Sequence, residues 1–117
     1  MFHNKIKNNK KERYNVIMKM KIKINEKKVN VNSEYTVEEI YKKIDDLAKS
    51  VGIIKKDEEG LYIGNNDRYD LANFGRIAMA LEECKWFMQC VEEWIWYLDD
   101  GIEDMIEFYH SIRREAV

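Results

Sequence analysis

Residues 19 to 24 read Lys-Met-Lys-Ile-Lys-Ile, a strict alternation of charged and apolar side chains. In a helix, Ile22 would lie opposite Met20 and Ile24; in a strand all three point the same way. The segment is therefore expected to be a strand with an apolar face of Met20, Ile22 and Ile24. Its other face is a lysine ladder of Lys19, Lys21 and Lys23. Such a strand cannot bury its apolar face alone, so the rest of the chain must supply sheet partners and a cover.

The nearest partner is expected at residues 28–32. They alternate again, with Val29 and Val31 inward, and residues 25–27 can turn the chain, so the two segments read as a hairpin. Thr36 and Glu39 have the spacing of a capping box. The helix they start carries Val37, Ile40, Ile44, Leu47 and Val51 at steps of three and four, a stripe that suits the hairpin's apolar face. Gly52 ends it. Ile53, Ile54 and residues 61–63 flank a charged loop that closes on Gly60, the pattern of a second, short hairpin.

From Asp70 to Leu98 the apolar positions Leu81, Cys84, Phe87, Met88, Val91, Trp94, Ile95 and Leu98 share one face of a helical wheel, and a long helix is expected there. Asp99, Asp100 and Gly101 break it. A last helix over residues 102–114 would then lie antiparallel to the long one. The expected fold class is α+β. It comprises a small antiparallel β-hairpin sheet packed by a capped helix, then a long helix and a short antiparallel C-terminal helix. Residues 1–17, polar and basic, read as a tail, either disordered or an extension upstream of the true start; residues 18–117 read as one domain.

At 117 residues the chain suits a single core. It holds no apolar run near the roughly 18 residues of a membrane span. Its first basic residues are not followed by a signal-peptide core. Cys84 and Cys90 would sit on different parts of one helix, so no disulfide is expected, and a reducing, cytoplasmic setting fits.

Net charge is only −2, but it is unevenly placed. Residues 1–28 hold ten basic groups against two acidic ones; residues 29–117 hold ten basic and twenty acidic. Residues 82–107 carry nine acids against the single Lys85, together with all three Trp of the chain. On the expected helices Glu92, Glu93, Glu103 and Glu107 would be exposed. Trp96 would fall on that polar face, with Trp86 at its border and Asp99 and Asp100 at the turn.

Carboxylates in rows approximate the phosphates of a nucleic acid, and an indole among them offers a desolvated anchor. The expected function is a non-enzymatic inhibitor or regulator that engages a basic, nucleic-acid-binding protein, with a homodimer also possible. Size, composition and charge suit a phage or mobile-element anti-defence protein of the anti-CRISPR type, although no motif supports that example. Nucleic acid is the second choice of partner, through Lys19, Lys21 and Lys23. A third reading captures a nucleotide signal with Arg68, Arg76, Arg113 and Arg114, helped by Tyr69, Phe74 and the Asn65–Asn66 turn. No cofactor or metal is expected: Glu107 and His110 form only half of a carboxylate-bridged motif.

Overall fold

The computed structural model describes residues 17–116, except for the side chains of Asn32 and of residues 113–116. All but one residue of the expected tail lies outside that range. Over the described residues the fold is α+β, with a five-stranded antiparallel sheet and five helices. In chain order the elements are β1 (Lys19–Ile24), α1 (Glu26–Asn32), α2 (Val37–Ser50), β2 (Lys55–Lys56), β3 (Tyr62–Ile63), α3 (Asp70–Glu82), α4 (Lys85–Met88), β4 (Val91–Leu98), β5 (Gly101–Asp104) and α5 (Met105–Ala116). The strands stand in the order β2-β3-β1-β4-β5.

The alternation of β1 has its expected outcome. Met20, Ile22 and Ile24 are buried, while the lysines face away. Its partner is not the one the sequence suggested. Residues 28–32 belong to a helix, capped by the Asn25 side chain, which accepts from the Lys28 amide at 3.1 Å. Val29 and Val31 would share a face on a strand, but on a helix they lie about 200° apart. Val29 is 1% exposed and Val31 83%. Two valines two residues apart were too short a period to separate the cases, and the Asn25 cap decides it.

Instead β1 lies between β3 and β4, with Met20 opposite Tyr62 on one side and opposite Trp96 on the other. The long helix expected to run to Leu98 ends at Glu82. After the single turn of α4 the chain becomes the strand β4, which pairs with β1 so that Ile22 faces Trp94. Val91, Trp94, Ile95, Trp96 and Tyr97 are β-branched or aromatic, residues that favour a pleated surface. Their apolar density satisfied a helical wheel equally well. The two acids and glycine at residues 99–101 turn the chain into β5 rather than into a second helix of a pair. The last helix accordingly starts at Met105, not Ile102, where the Asp104 carboxylate accepts from the Ile106 and Glu107 amides at 3.1 and 3.2 Å.

The capping box forms: the Glu39 amide donates to Thr36 at 3.1 Å, and the Thr36 amide donates to the Glu39 carboxylate at 2.9 Å. Ile40, Ile44 and Ala48 turn that helix onto the sheet. A second hairpin forms, with Asp57 accepting from the Glu59 and Leu61 amides and Gly60 at a φ of 84°, but its first strand is Lys55–Lys56, expected in the loop, and not Ile53–Ile54: Ile53 is instead buried in the core ahead of it.

All five helices send side chains into one core with the inner face of the sheet. Trp94 sits at its centre, edge-on to Phe87 at 4.9 Å and stacked on Tyr109 at 5.5 Å. Its indole N–H is directed at Met20 Sδ, 3.4 Å away.

The chain enters α3 through a turn held by a buried carboxylate. Asp70, 4% exposed, accepts from the Asn65 and Asn66 amides at 2.9 and 2.8 Å. Gly64 packs so closely beneath it that an added Cβ would stand 2.5 Å from the Asp70 carboxylate and 3.1 Å from the Met18 carbonyl. Gly64→Ala is expected to cost about 1–3 kcal/mol, the range for overpacking, read as a lower urea midpoint. Gly101→Ala, whose methyl meets nothing within 4 Å, is the control and should leave the midpoint much closer to that of the parent.

Candidate functional site

Strand alternation sorts the acidic and aromatic residues of 82–107 in a way no helical wheel could. Trp96 does not stand on a polar helix face. It lies on the inner side of β4 beside Trp94, half-buried, with Phe74 6.3 Å away. Its indole N–H is buried and finds no acceptor among the described residues. Trp86 is also half-buried, edge-on to Tyr35 and Phe87, with Lys43 above the Tyr35 ring at 4.4 Å. Both indoles pack against the core. The anchors expected for a partner are therefore largely engaged within the fold.

Glu92 and Glu93 are engaged as well. A register shift opposite Lys23 and Ile24 leaves Glu92 as the extra residue of a bulge. Its carboxylate meets Lys23 at 2.9 Å and accepts from Asn25 at 3.1 Å. Lys23 holds the Glu92 carboxyl below its usual range, and Glu92 in turn raises the Lys23 ammonium. Lys21 pairs with Glu93 at 3.3 Å, and Lys19 with Asp57 at 3.6 Å. The lysine ladder thus has a carboxylate partner at every rung.

Asp99, Asp100, Glu103 and Glu107 differ. All four are exposed, and no ion pair holds them among the described residues. They run from the β4–β5 turn along the edge strand β5 into the first turn of α5. Ile102, 67% exposed, and Phe108 lie in the same stretch. Sequence patterning did not find these two apolar neighbours, because a last helix starting at Ile102 placed Ile102 on its buried side.

Among the described residues, the groups expected for a nucleotide pocket are engaged elsewhere or stand apart. Phe74 is fully buried in the core. The amides of Asn65 and Asn66 are already bound by Asp70. Arg68 lies over its own neighbour Tyr69 and donates to its hydroxyl at 2.7 Å; Arg76 is exposed on α3. The side chains of Arg113 and Arg114 lie outside the described residues. Burial pushes both cysteine thiols up, which disfavours the reactive thiolate. No three His, Cys, Asp or Glu side chains among the described residues come together as metal ligands.

One polar cluster had no sequence signal. Asp45 on α2 accepts from the Tyr62 hydroxyl at 2.5 Å and meets Lys56 at 2.6 Å, joining the helix to the β2–β3 hairpin. They line a hollow of about 160 Å³ with Lys49, Ile53 and Ile54. Burial alone would raise the Asp45 carboxyl; the bonds from Lys56 and Tyr62 outweigh it and hold the group below its usual range. Burial, then Asp45, pushes the Tyr62 hydroxyl upward.

Neither a family model nor a curated protein sequence matches the chain. No helix among the described residues is long and apolar enough to cross a membrane.

Two measurements check this geometry. The Asp45 interaction is complete above the ordinary carboxylate pKa of about 4 and is lost as pH falls through the lower folded value. Asp45→Asn should therefore flatten the decline in melting temperature below about pH 4 relative to the parent; an unchanged slope would exclude the cluster. Trp96→Phe keeps the ring against Phe74 and removes an N–H with no acceptor. It should destabilise much less than Trp96→Ala in urea unfolding.

Proposed function

We propose that the chain is a non-enzymatic binding protein, a small inhibitor or regulator that engages a basic, nucleic-acid-binding protein. Its contact surface is the acidic end formed by the β4–β5 turn, β5 and the start of α5. The observation that carries this reading is the contrast between two sets of charges. Lys19, Lys21 and Lys23 are paired with Asp57, Glu93 and Glu92. Asp99, Asp100, Glu103 and Glu107 have no such partner among the described residues, and their segment also exposes Ile102 and Phe108.

Unpaired carboxylates suit Lys and Arg on a partner, because charge steers the encounter, and exposed Ile102 and Phe108 in the same segment offer apolar contact. The same contrast weighs against the lysine ladder as a nucleic-acid surface. The buried Phe74 and the satisfied Asn65–Asn66 turn weigh against a nucleotide pocket. Free cysteines Cys84 and Cys90 support a reducing, cytoplasmic setting. An anti-defence role against a nucleic-acid-guided effector remains one instance of this class of function.

A labelled arginine-rich peptide, followed by fluorescence anisotropy, tests the surface. Binding by the parent should weaken as salt rises, since exposed charges are screened beyond about 8 Å at physiological ionic strength. Reversal of Asp99, Asp100, Glu103 and Glu107 to Lys should weaken it by more than about tenfold, while circular dichroism stays native. Reversing Glu92 and Glu93, already paired, should cost less. A folded fourfold variant that binds as tightly as the parent would sink the proposal. Binding of a DNA duplex that is lost on replacing Lys19, Lys21 and Lys23 by Ala would move the assignment to the ladder.

A further inference from the structure

The sheet register sets one row of residues across the five strands: Lys55, Ile63, Lys19, Tyr97 and Ile102. The row lies on the lysine side of β1, opposite the core, and Ile95 is on the same side beside Lys21. None of its apolar residues is buried, and none belongs to the core. The helical side chains that meet the sheet do so on its other face. One edge of this open face is β5, where Ile102 is 67% exposed. Edges of that kind are normally covered or guarded by charge.

The chain enters the sheet at a corner of the same face. The Met18 carbonyl accepts from the Gly64 amide at 2.8 Å, and Lys19 stands opposite Tyr97. Ile17 therefore lies at the end of the sheet that holds the β4–β5 turn, and it is 39% exposed. From there the sixteen residues before it can run to either side of β1. On the β3 side lie Lys55 and the exposed Asp67 and Arg68, which together leave an excess of positive charge. Glu58 and Glu59 are at the far end of that hairpin. On the β4 side lie Asp99, Asp100 and Glu103, and no basic residue occurs between 99 and 107.

We infer that residues 1–16 dock in cis on this open face, crossing β4 to the β4–β5 turn and the β5 edge. They hold Lys5, Lys7, Lys10, Lys11 and Arg13 against Glu12 alone, so charge selects the acidic side. Reach permits it. Two strand spacings, about 10 Å, separate β1 from β5, and the four residues from Arg13 to Ile17 span up to about 14 Å. Tyr14 and Val16 supply apolar surface for Tyr97 and Ile102. A segment joined to its own docking face is held there at about millimolar effective concentration, so individually weak contacts suffice. The docking does not rest on the partner proposed above; such a partner would have to displace the segment.

Amide NMR spectra of the full, isotope-labelled chain test it. Replacing Lys5, Lys7, Lys10, Lys11 and Arg13 together by Gln should shift the amides of residues 97–103 and leave those of α2 and of residues 57–60 in place. Raising salt should move the same amides of the parent in the same direction, because screening loosens the contact. The reciprocal variant, Asp99→Asn with Asp100→Asn and Glu103→Gln, should shift the amides of residues 5–16. Both sets of shifts should survive dilution unchanged. Amides of residues 97–103 that ignore the neutralisation overturn the inference. So do shifts centred on residues 57–60, or shifts that fade on dilution, which would make a second copy the occupant. None of these readouts uses a basic peptide, so the docking and the proposed function stand or fall separately.

Discussion

The pairing of β1 with β4 is the contact on which the other parts of the fold depend. It sets Ile22 beside Trp94 and Met20 beside Trp96, and this makes an inner face wide and apolar enough for five helices to cover. Trp94 then receives Phe87 from α4, Tyr109 from α5 and the Met20 sulfur from β1. A large aromatic with neighbours on three elements binds them into one cooperative unit, because its burial exists only when all are in place.

The same pairing resolves the charge asymmetry of the sequence. The early part of the chain is strongly basic and the later part strongly acidic. Bringing β1 next to β4 sets two of its lysines against Glu92 and Glu93. Such exposed pairs add little stability individually. Their larger effect is on what remains outside: once the sheet has formed, the unbalanced negative charge concentrates at residues 99–107. The proposed contact surface is therefore what the sheet leaves unpaired, and not the total acidity of the segment.

What could be read from the sequence follows from how far each signal reaches. Alternation over six residues identified β1, the three-residue spacing of Thr36 and Glu39 identified the start of α2, and Gly60 marked the hairpin loop. These are local signals, and local geometry fulfils them. The errors came where a pattern fitted two periods. Val29 and Val31 are two points, which any period passes through. In residues 91–98 nearly every position is apolar or aromatic, so the wheel and the pleat both accept them. There the choice is tertiary: β1 needs a neighbour on each side, and only pairing with a distant strand supplies one. The placement of Trp96 was misread for the same reason. Trp96 looks exposed at 100° per residue and turns inward at 180°. The four carboxylates were visible in the sequence, whereas the ion pairs that disqualify Glu92 and Glu93 depend on contacts some 70 residues apart.

β1 precedes the other described strands and lies at the centre of the sheet, yet both of its partners come later in the chain, β4 by more than 70 residues. During synthesis it leaves the ribosome long before the segment that will cover it. For that interval it is an unsatisfied strand with a greasy side, the kind of segment that recruits its like from other chains. Alternate lysines supply mutual repulsion between such strands until the proper neighbour arrives. The charge on Lys19, Lys21 and Lys23 opposes such pairing before these residues become rungs of the finished sheet, a consequence of their spacing that involves no ligand.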